Sequence, residues 1–263
     1  NIDMVSDSIY ARFNETAKLP GVNLYWGASI QTGIVRDSGF AYQEFRYREI
    51  NGRELLYQTN LALMYGAKLI SPWLYFGFQG PQVLYSGIVN TMPIYSQPPF
   101  AETVKYKTLR DTIGPRLKGL LGVKIKSLNP YKQFAGSNGI ETWIQQTLSS
   151  DFDYINSIRS FGASTDTTFA EFGFFNNPND QAEKYFMLLN RYYSKLNNFT
   201  IGLRNLSGFK NWDLTYYENN KFSNTIVANN GISSFTTSIY PGDAKLFRLV
   251  PVLTHGGSLI ADE

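Results

Sequence analysis

The chain has 263 residues, enough for two ordinary domains with a substantial buried core. Its net charge is only +3 with the positive residues scattered, which argues against a nucleic-acid partner, and the absence of cysteine excludes disulfides, thiol catalysis and cysteine-ligated zinc. No apolar run approaches the ~20 residues of a membrane span, and aromatic residues at 16% beside 17% charged, with plentiful Asn, Ser and Thr, suit a β-rich, secreted, polymer-handling protein.

From the N-terminus to about residue 122, helix and strand patterns alternate. Residues 7–18, DSIYARFNETAK, read as a short helix, and GVNLYWGASIQTG at 21–33 as a nearly continuous apolar strand. A strand of that kind is expected to be buried on both faces, as parallel strands under helices are. A polar, Arg-rich connection then runs through residue 51 and is long enough to read as a functional loop. A helix is predicted from near Glu54, because Leu55, Leu56, Thr59, Ala62 and Leu63 keep the helical rhythm, with Gly66 as its left-handed stop. KLISPWLYF, residues 68–76, follows as the next strand, so that strand, loop, helix and strand form a βαβ unit. AETVKYKTLRDTIGPRLKGLLG, residues 101–122, predicts a further helix, kinked or ended at Pro115.

Beyond residue 122 the texture changes to short apolar runs separated by Asn, Gly, Pro and Ser clusters. The runs VKIKSL, ETWIQQTL, DYINSIR, TTFAEFGFF, EKYFMLLN, NFTIGL, NWDLTYY, SSFTTSIY and AKLFRLVP are predicted strands. In VKIKSL the alternating Lys124 and Lys126 read as the solvated face of a strand, and Glu171 reads as an outward-facing sheet residue. NNPND, residues 176–180, and YPGDA, residues 240–244, read as turns. This regular punctuation predicts an antiparallel β-sandwich. The expected organisation is therefore an α/β segment over residues 1–122 and an all-β sandwich over residues 123–263.

NLYWGASIQTG, the Arg-containing loop, ELLYQTNLALMYGAKLISPWLYF and the terminal PGDAKLFRLVPVL together resemble part of a glycoside hydrolase related to the family 42 β-galactosidases. The resemblance implies the last two strands of a (β/α)8 TIM-like barrel followed by its C-terminal β-sandwich. A complete barrel takes about 250 residues, so it further implies that the remaining strands are supplied by another chain or by an N-terminal portion outside this sequence. The first residue, Asn1, and the ending GGSLIADE are read in the same way, as marks of a processed or partial chain.

In such barrels the site lies at the C-terminal ends of the strands, where aromatic faces stack on sugar rings and amides bond hydroxyls. The resemblance therefore points to Trp26, Gln31, Trp73 and Tyr75 as substrate-binding residues, with Arg36 and Glu44 at the rim of the cleft. Packing in the barrel core is the alternative role of the aromatic residues, and solvated ion pairing that of the loop charges.

Glycosidic hydrolysis needs two carboxyl groups, yet the nucleophilic Glu implied by the resemblance falls at or near Gln31, whose amide cannot ionise. No catalytic residue is therefore assigned. The one histidine, His255, cannot form a multi-histidine metal centre, so no metal and no cofactor are expected. The expected function is an extracellular or cell-surface carbohydrate-active protein, glycoside hydrolase-like, acting on an oligosaccharide or polysaccharide. The alternative is a non-catalytic surface or filament subunit with a glycosidase-derived fold.

Overall fold

The computed structural model of the chain describes residues 27–31, 34–37, 50–73, 78–79, 83–90, 101–136, 155–161, 170–192, 194–203, 209–218, 221–228 and 233–253. These residues are mostly sheet with few helices. Two compact units are present, Asn1–Lys126 and Ser127–Glu263.

In the first unit, β1 (Gly27–Gln31) and β3 (Leu69–Trp73) lie side by side and parallel, joined through α1 (Gly52–Met64). This is a βαβ unit. The helix begins where Asn51 caps it: Asn51 Oδ1 accepts from the backbone N–H groups of Arg53 at 2.8 Å and Glu54 at 3.0 Å, and the Glu54 carboxylate returns a bond to the Asn51 N–H at 2.9 Å. That reciprocal box satisfies amides that the helix itself leaves without partners. At the other end Gly66 takes φ 91°, a conformation costly for any residue with a Cβ. The chain then turns directly into β3.

One face of the parallel pair packs on helix. Ile70 joins the cluster of Ile50, Leu55, Leu56 and Ile113, with Leu109 and Leu117 against it. The other face is open: Leu69 is 65% exposed and Ser71 is exposed. The expectation of strands buried on both faces is corrected on this point, because among the described residues the sheet has two strands and helix on one side. A Cβ on Gly27 would lie 3.0 Å from Leu69 Cβ, so that row of the sheet tolerates little more than a hydrogen beside Leu69.

The expected polar loop after β1 contains a strand, β2 (Ile34–Asp37). It pairs antiparallel with β5 (Val83–Ser86), which also pairs with β4 (Phe78–Gln79); β6 (Val89–Asn90) pairs with β7 (Ala101–Glu102). Helix α2 (Val104–Thr108) then runs through a π turn, Leu109–Ile113, into α3 (Gly114–Lys118). The π turn immediately precedes Pro115, whose ring and missing N–H disturb the α-helical ladder. Pro115 thus does not end the helix: the i−5 bond from the Gly114 N–H to the Leu109 carbonyl carries the chain past it.

VKIKSL is helical and belongs to α4 (Leu120–Ser127), which crosses the boundary expected after residue 122. Leu121, Ile125 and Leu128 are buried, and their spacing of four and three is the helical period. Lys68 Nζ donates to the Ile125 carbonyl at 2.7 Å and to the Lys126 carbonyl at 3.3 Å, satisfying acceptors at the helix end. Burial lowers the Lys68 pKa. None of the helices among the described residues is long and apolar enough to cross a membrane.

Among the described residues, the sheets of the second unit are antiparallel. A six-stranded sheet has the order β14 (Lys221–Ala228), β13 (Phe209–Glu218), β16 (Ala244–Leu253), β11 (Lys184–Asn190), β10 (Ala170–Asn176) and β8 (Asn129–Gly136). A three-stranded sheet has the order β15 (Ser233–Ile239), β12 (Asn197–Leu203) and β9 (Ile155–Phe161). The two sheets share one core, in which Phe172, Phe174, Phe186, Leu188, Leu214, Phe247 and Leu249 of the larger meet Ile155, Phe199, Ile201, Leu203 and Ile239 of the smaller. Phe186 stacks on Phe247 with ring centres 4.9 Å apart.

Most of the predicted strands coincide with these elements. ETWIQQTL and the helix at 7–18 lie outside the described residues. The sequence reading missed β8 and β14. For β14 a signal was present: Asn219-Asn220 separates two strand-forming runs, and β13 and β14 pair from Glu218↔Lys221 onward as a hairpin.

The central strands of the larger sheet are buried on both faces. Their core face carries Phe172, Phe174, Phe186 and Phe247, and the far face carries Glu171, Phe175, Tyr185, Met187, Leu189, Thr215 and Leu246, all buried. This double burial is why AEFGFF and KYFMLL read as apolar runs with little alternation. Glu171 does not face outward as expected: it is fully buried and forms an ion pair with Arg191, Nε to Oε1 3.0 Å. The smaller sheet alternates, with Phe199 and Ile201 turned to the core while Asn198, Thr200, Thr236 and Ser238 line its outer face. There Thr200 and Thr236 hydroxyls meet at 2.9 Å, and Ser238 Oγ donates to Asn198 Oδ1 at 2.5 Å.

Candidate functional site

The site implied by the resemblance depends on the C-terminal ends of two parallel strands. Register pairs Gly27 with Leu69, Ala28 with Ile70, Ser29 with Ser71, Ile30 with Pro72 and Gln31 with Trp73. Gln31 and Trp73 are thus neighbours across the sheet, each the last residue of its strand. Arg36 stands in β2, opposite Leu84 of β5. Trp26, Glu44 and Tyr75 lie outside the described residues.

Gln31 carries an amide and Trp73 an indole, at positions that are register partners at the strand ends. The amide is both donor and acceptor for hydroxyl groups, and the indole offers a face to apolar C–H groups. Gln31 offers no ionisable nucleophile, because an amide does not deprotonate in the accessible pH range.

A second concentration of chemistry, which the sequence reading missed, lies in the all-β unit at the β10–β11 hairpin. Glu183 Oε2 accepts from the Asn177 side-chain amide at 2.6 Å and from the Tyr185 hydroxyl at 2.6 Å; Oε1 accepts from Arg248 Nε at 2.6 Å and pairs also with Arg248 Nη2. Burial pushes the Glu183 carboxyl up, but the bonds from Tyr185, Arg248 and Asn177 together outweigh it and hold the pKa below the usual value. Burial raises Tyr185, and the adjoining Glu183 carboxylate raises it further. Tyr217 is raised too, first by its burial. Burial works against the Arg248 cation, yet its bond to Glu183 keeps the pKa above normal.

The two tyrosines therefore remain phenols and Arg248 remains a cation at neutral pH. The carboxylate has its acceptor positions filled by protein donors, which is the arrangement of a structural junction rather than of a general acid or nucleophile. Glu183 gave no sequence signal because its partners lie 2, 6 and 65 residues away and converge only in the folded sheet.

No family model and no curated protein matches the chain. Among solved structures it is similar to a GH27 β-L-arabinopyranosidase from Geobacillus stearothermophilus, at 10% sequence identity and a TM-score of 0.43. The match covers 98% of this chain and 44% of that one, so this chain spans less than half the length of that structure.

Proposed function

We propose that the chain is part of a carbohydrate-active protein in which the C-terminal ends of β1 and β3 belong to a sugar-binding cleft. The observation that supports the reading is the parallel β1–α1–β3 unit, with Gln31 and Trp73 in register at its strand ends. Trp73 and Tyr75, with Trp26, stack on sugar rings; Gln31 bonds ring hydroxyls; Arg36 and Glu44 contribute polar contacts at the rim. The ligand is an oligosaccharide or polysaccharide, and the protein works outside the cell or at its surface.

The exposure of Leu69 and Ser71 on one face of the parallel pair supports a second part of the reading. Additional parallel strands, from another chain or another portion of the same protein, complete a barrel around this pair, because parallel sheets are ordinarily covered on both faces. Glutamine at position 31, where the resemblance implies a carboxylate, favours binding without hydrolysis and keeps a non-catalytic surface or filament subunit as the second reading.

The test uses the native protein, sized by intact mass and assayed for binding to a panel of soluble oligosaccharides and for hydrolysis of aryl glycosides. Binding is expected, with Trp73→Ala weakening it at least about tenfold through loss of a stacking face. No binding across the panel by a folded protein, or unchanged binding after Trp73→Ala, would sink the cleft assignment. Hydrolysis gained in Gln31→Glu would place a second carboxylate nearby, whereas binding with no hydrolysis in either form supports the non-catalytic reading.

A further inference from the structure

The loop 177–183 between β10 and β11 is held to the sheet through Glu183. Its other described bonds are local: the Asn179 N–H to Asn177 Oδ1 at 3.0 Å, the Ala182 N–H to Asp180 Oδ1 at 2.9 Å and the Asp180 N–H to the Asn177 carbonyl at 3.4 Å. Bonds of this kind curl a loop on itself without fixing it to anything else. Pro178, Asn179, Asp180, Gln181 and Ala182 are all exposed, so little burial helps to hold them.

Glu183, by contrast, reaches three places at once. It takes Asn177 at the start of the loop, Tyr185 in the strand that follows and Arg248 in the neighbouring strand β16. We propose that Glu183 is an ionisation-dependent clasp: its carboxylate fastens the 177–183 loop to the six-stranded sheet, and the neutral acid releases the loop while the sheet stays folded.

The chemistry that gives this behaviour is an excess of donors. Arg248 through two nitrogens, Tyr185 and Asn177 all present hydrogens to Glu183, so a proton on the carboxyl removes an acceptor position and the charge that pairs with Arg248. The groups facing Glu183 do not titrate in the same range. Tyr185 on β11 and Tyr217 on β13 are raised above the ordinary phenol value, and Arg248 on β16 is raised above the ordinary guanidinium value. Asn177 carries no charge. Asp180, the other carboxylate in the loop, accepts from Ala182 within the loop itself.

The direction follows from the lowered Glu183 pKa. The clasp is closed throughout neutral and mildly acid pH and opens as pH falls through a value below the ordinary carboxyl range. The loop is thereby insulated from ordinary acidification and yields only to stronger acid.

The experiment is backbone order measured by nitrogen-15 relaxation for residues 177–183, with strand 197–203 as the internal reference, from pH 7 down to pH ~2.5. Wild-type loop order parameters are expected near ~0.85 at pH 6 and to fall below ~0.6 in acid, before the reference strand changes. Glu183→Gln should have the mobile loop already at pH 6 and no further acid step, and Asp180→Asn should behave as wild type. If Glu183→Gln does not fold, Asn177→Ala tests the same point by removing the tie at the start of the loop, with a mobile loop at pH 6 as the expected result. A loop that stays ordered at pH 6 in the variant tested overturns the clasp, and so does simultaneous loss of order in loop and reference strand.

Discussion

The two principal sheets solve opposite problems. The six-stranded antiparallel sheet is buried on both faces in its central strands, to the point that Glu171 has no exposed side chain and needs Arg191 beside it. The parallel pair β1–β3 is covered by helix on one face and leaves Leu69 65% exposed on the other. Full burial of a leucine side chain is worth roughly 1.5–3 kcal/mol, so the open face forgoes stabilisation that the all-β unit collects in every strand of its centre. The all-β unit is a finished core, and the βαβ unit has a face suited to further covering.

The sharpest way to break this comparison is Glu171→Ala. It leaves the Arg191 guanidinium in a buried site without its ion-pair partner, and should cost the all-β unit about 3–5 kcal/mol in urea unfolding. A loss under ~1 kcal/mol would mean that this face is wetter than its burial indicates.

Of intermediate size is Asn51→Ala, which removes the acceptor for two amides at the start of α1. About 1 kcal/mol should be lost from the βαβ unit, with the transition of the all-β unit unmoved, when the two are followed by separate probes. Coincident shifts in both transitions would show that the units do not unfold independently.

The smallest expected effect is the most discriminating for function. Leu69→Thr places a β-branched residue, favoured on strands, and removes apolar surface that is already largely in water, so stability should change by less than ~0.5 kcal/mol. A loss of several kcal/mol in the native protein would reveal that other strands cover this face.

The legibility of the sequence differed between the same two regions. In the βαβ unit the helix was readable because its apolar positions recur at the helical period and because Gly66 occupies a left-handed stop. The capping box that starts it, Asn51 with Glu54, was not read from the sequence, although the pair stands three residues apart as such a box requires. VKIKSL misled because Val123 and Ile125 alternate with Lys124 and Lys126 as in a strand, while Leu121, Ile125 and Leu128 recur as in a helix. Six residues satisfy both periods, and contacts that bury Ile125 but expose Val123 chose the helix.

In the all-β unit the strands were mostly legible, but their faces were not. TTFAEFGFF carries apolar residues at both odd and even positions, so periodicity alone gives no inside and no outside. The position of Glu171 was lost for that reason.

By itself, then, the sequence determined where most of the strands and the α1 helix form, because local periodicity, caps and turn residues act over a few neighbours. It also determined the order of the units, α/β first and all-β second. The folded structure decided the parallel register that sets Gln31 beside Trp73, the double burial of the larger sheet, and the meeting of Asn177, Glu183, Tyr185 and Arg248. Those features depend on which strands become neighbours across tens of residues, and that choice is made by the burial of whole sheet faces rather than by the preferences of any one segment.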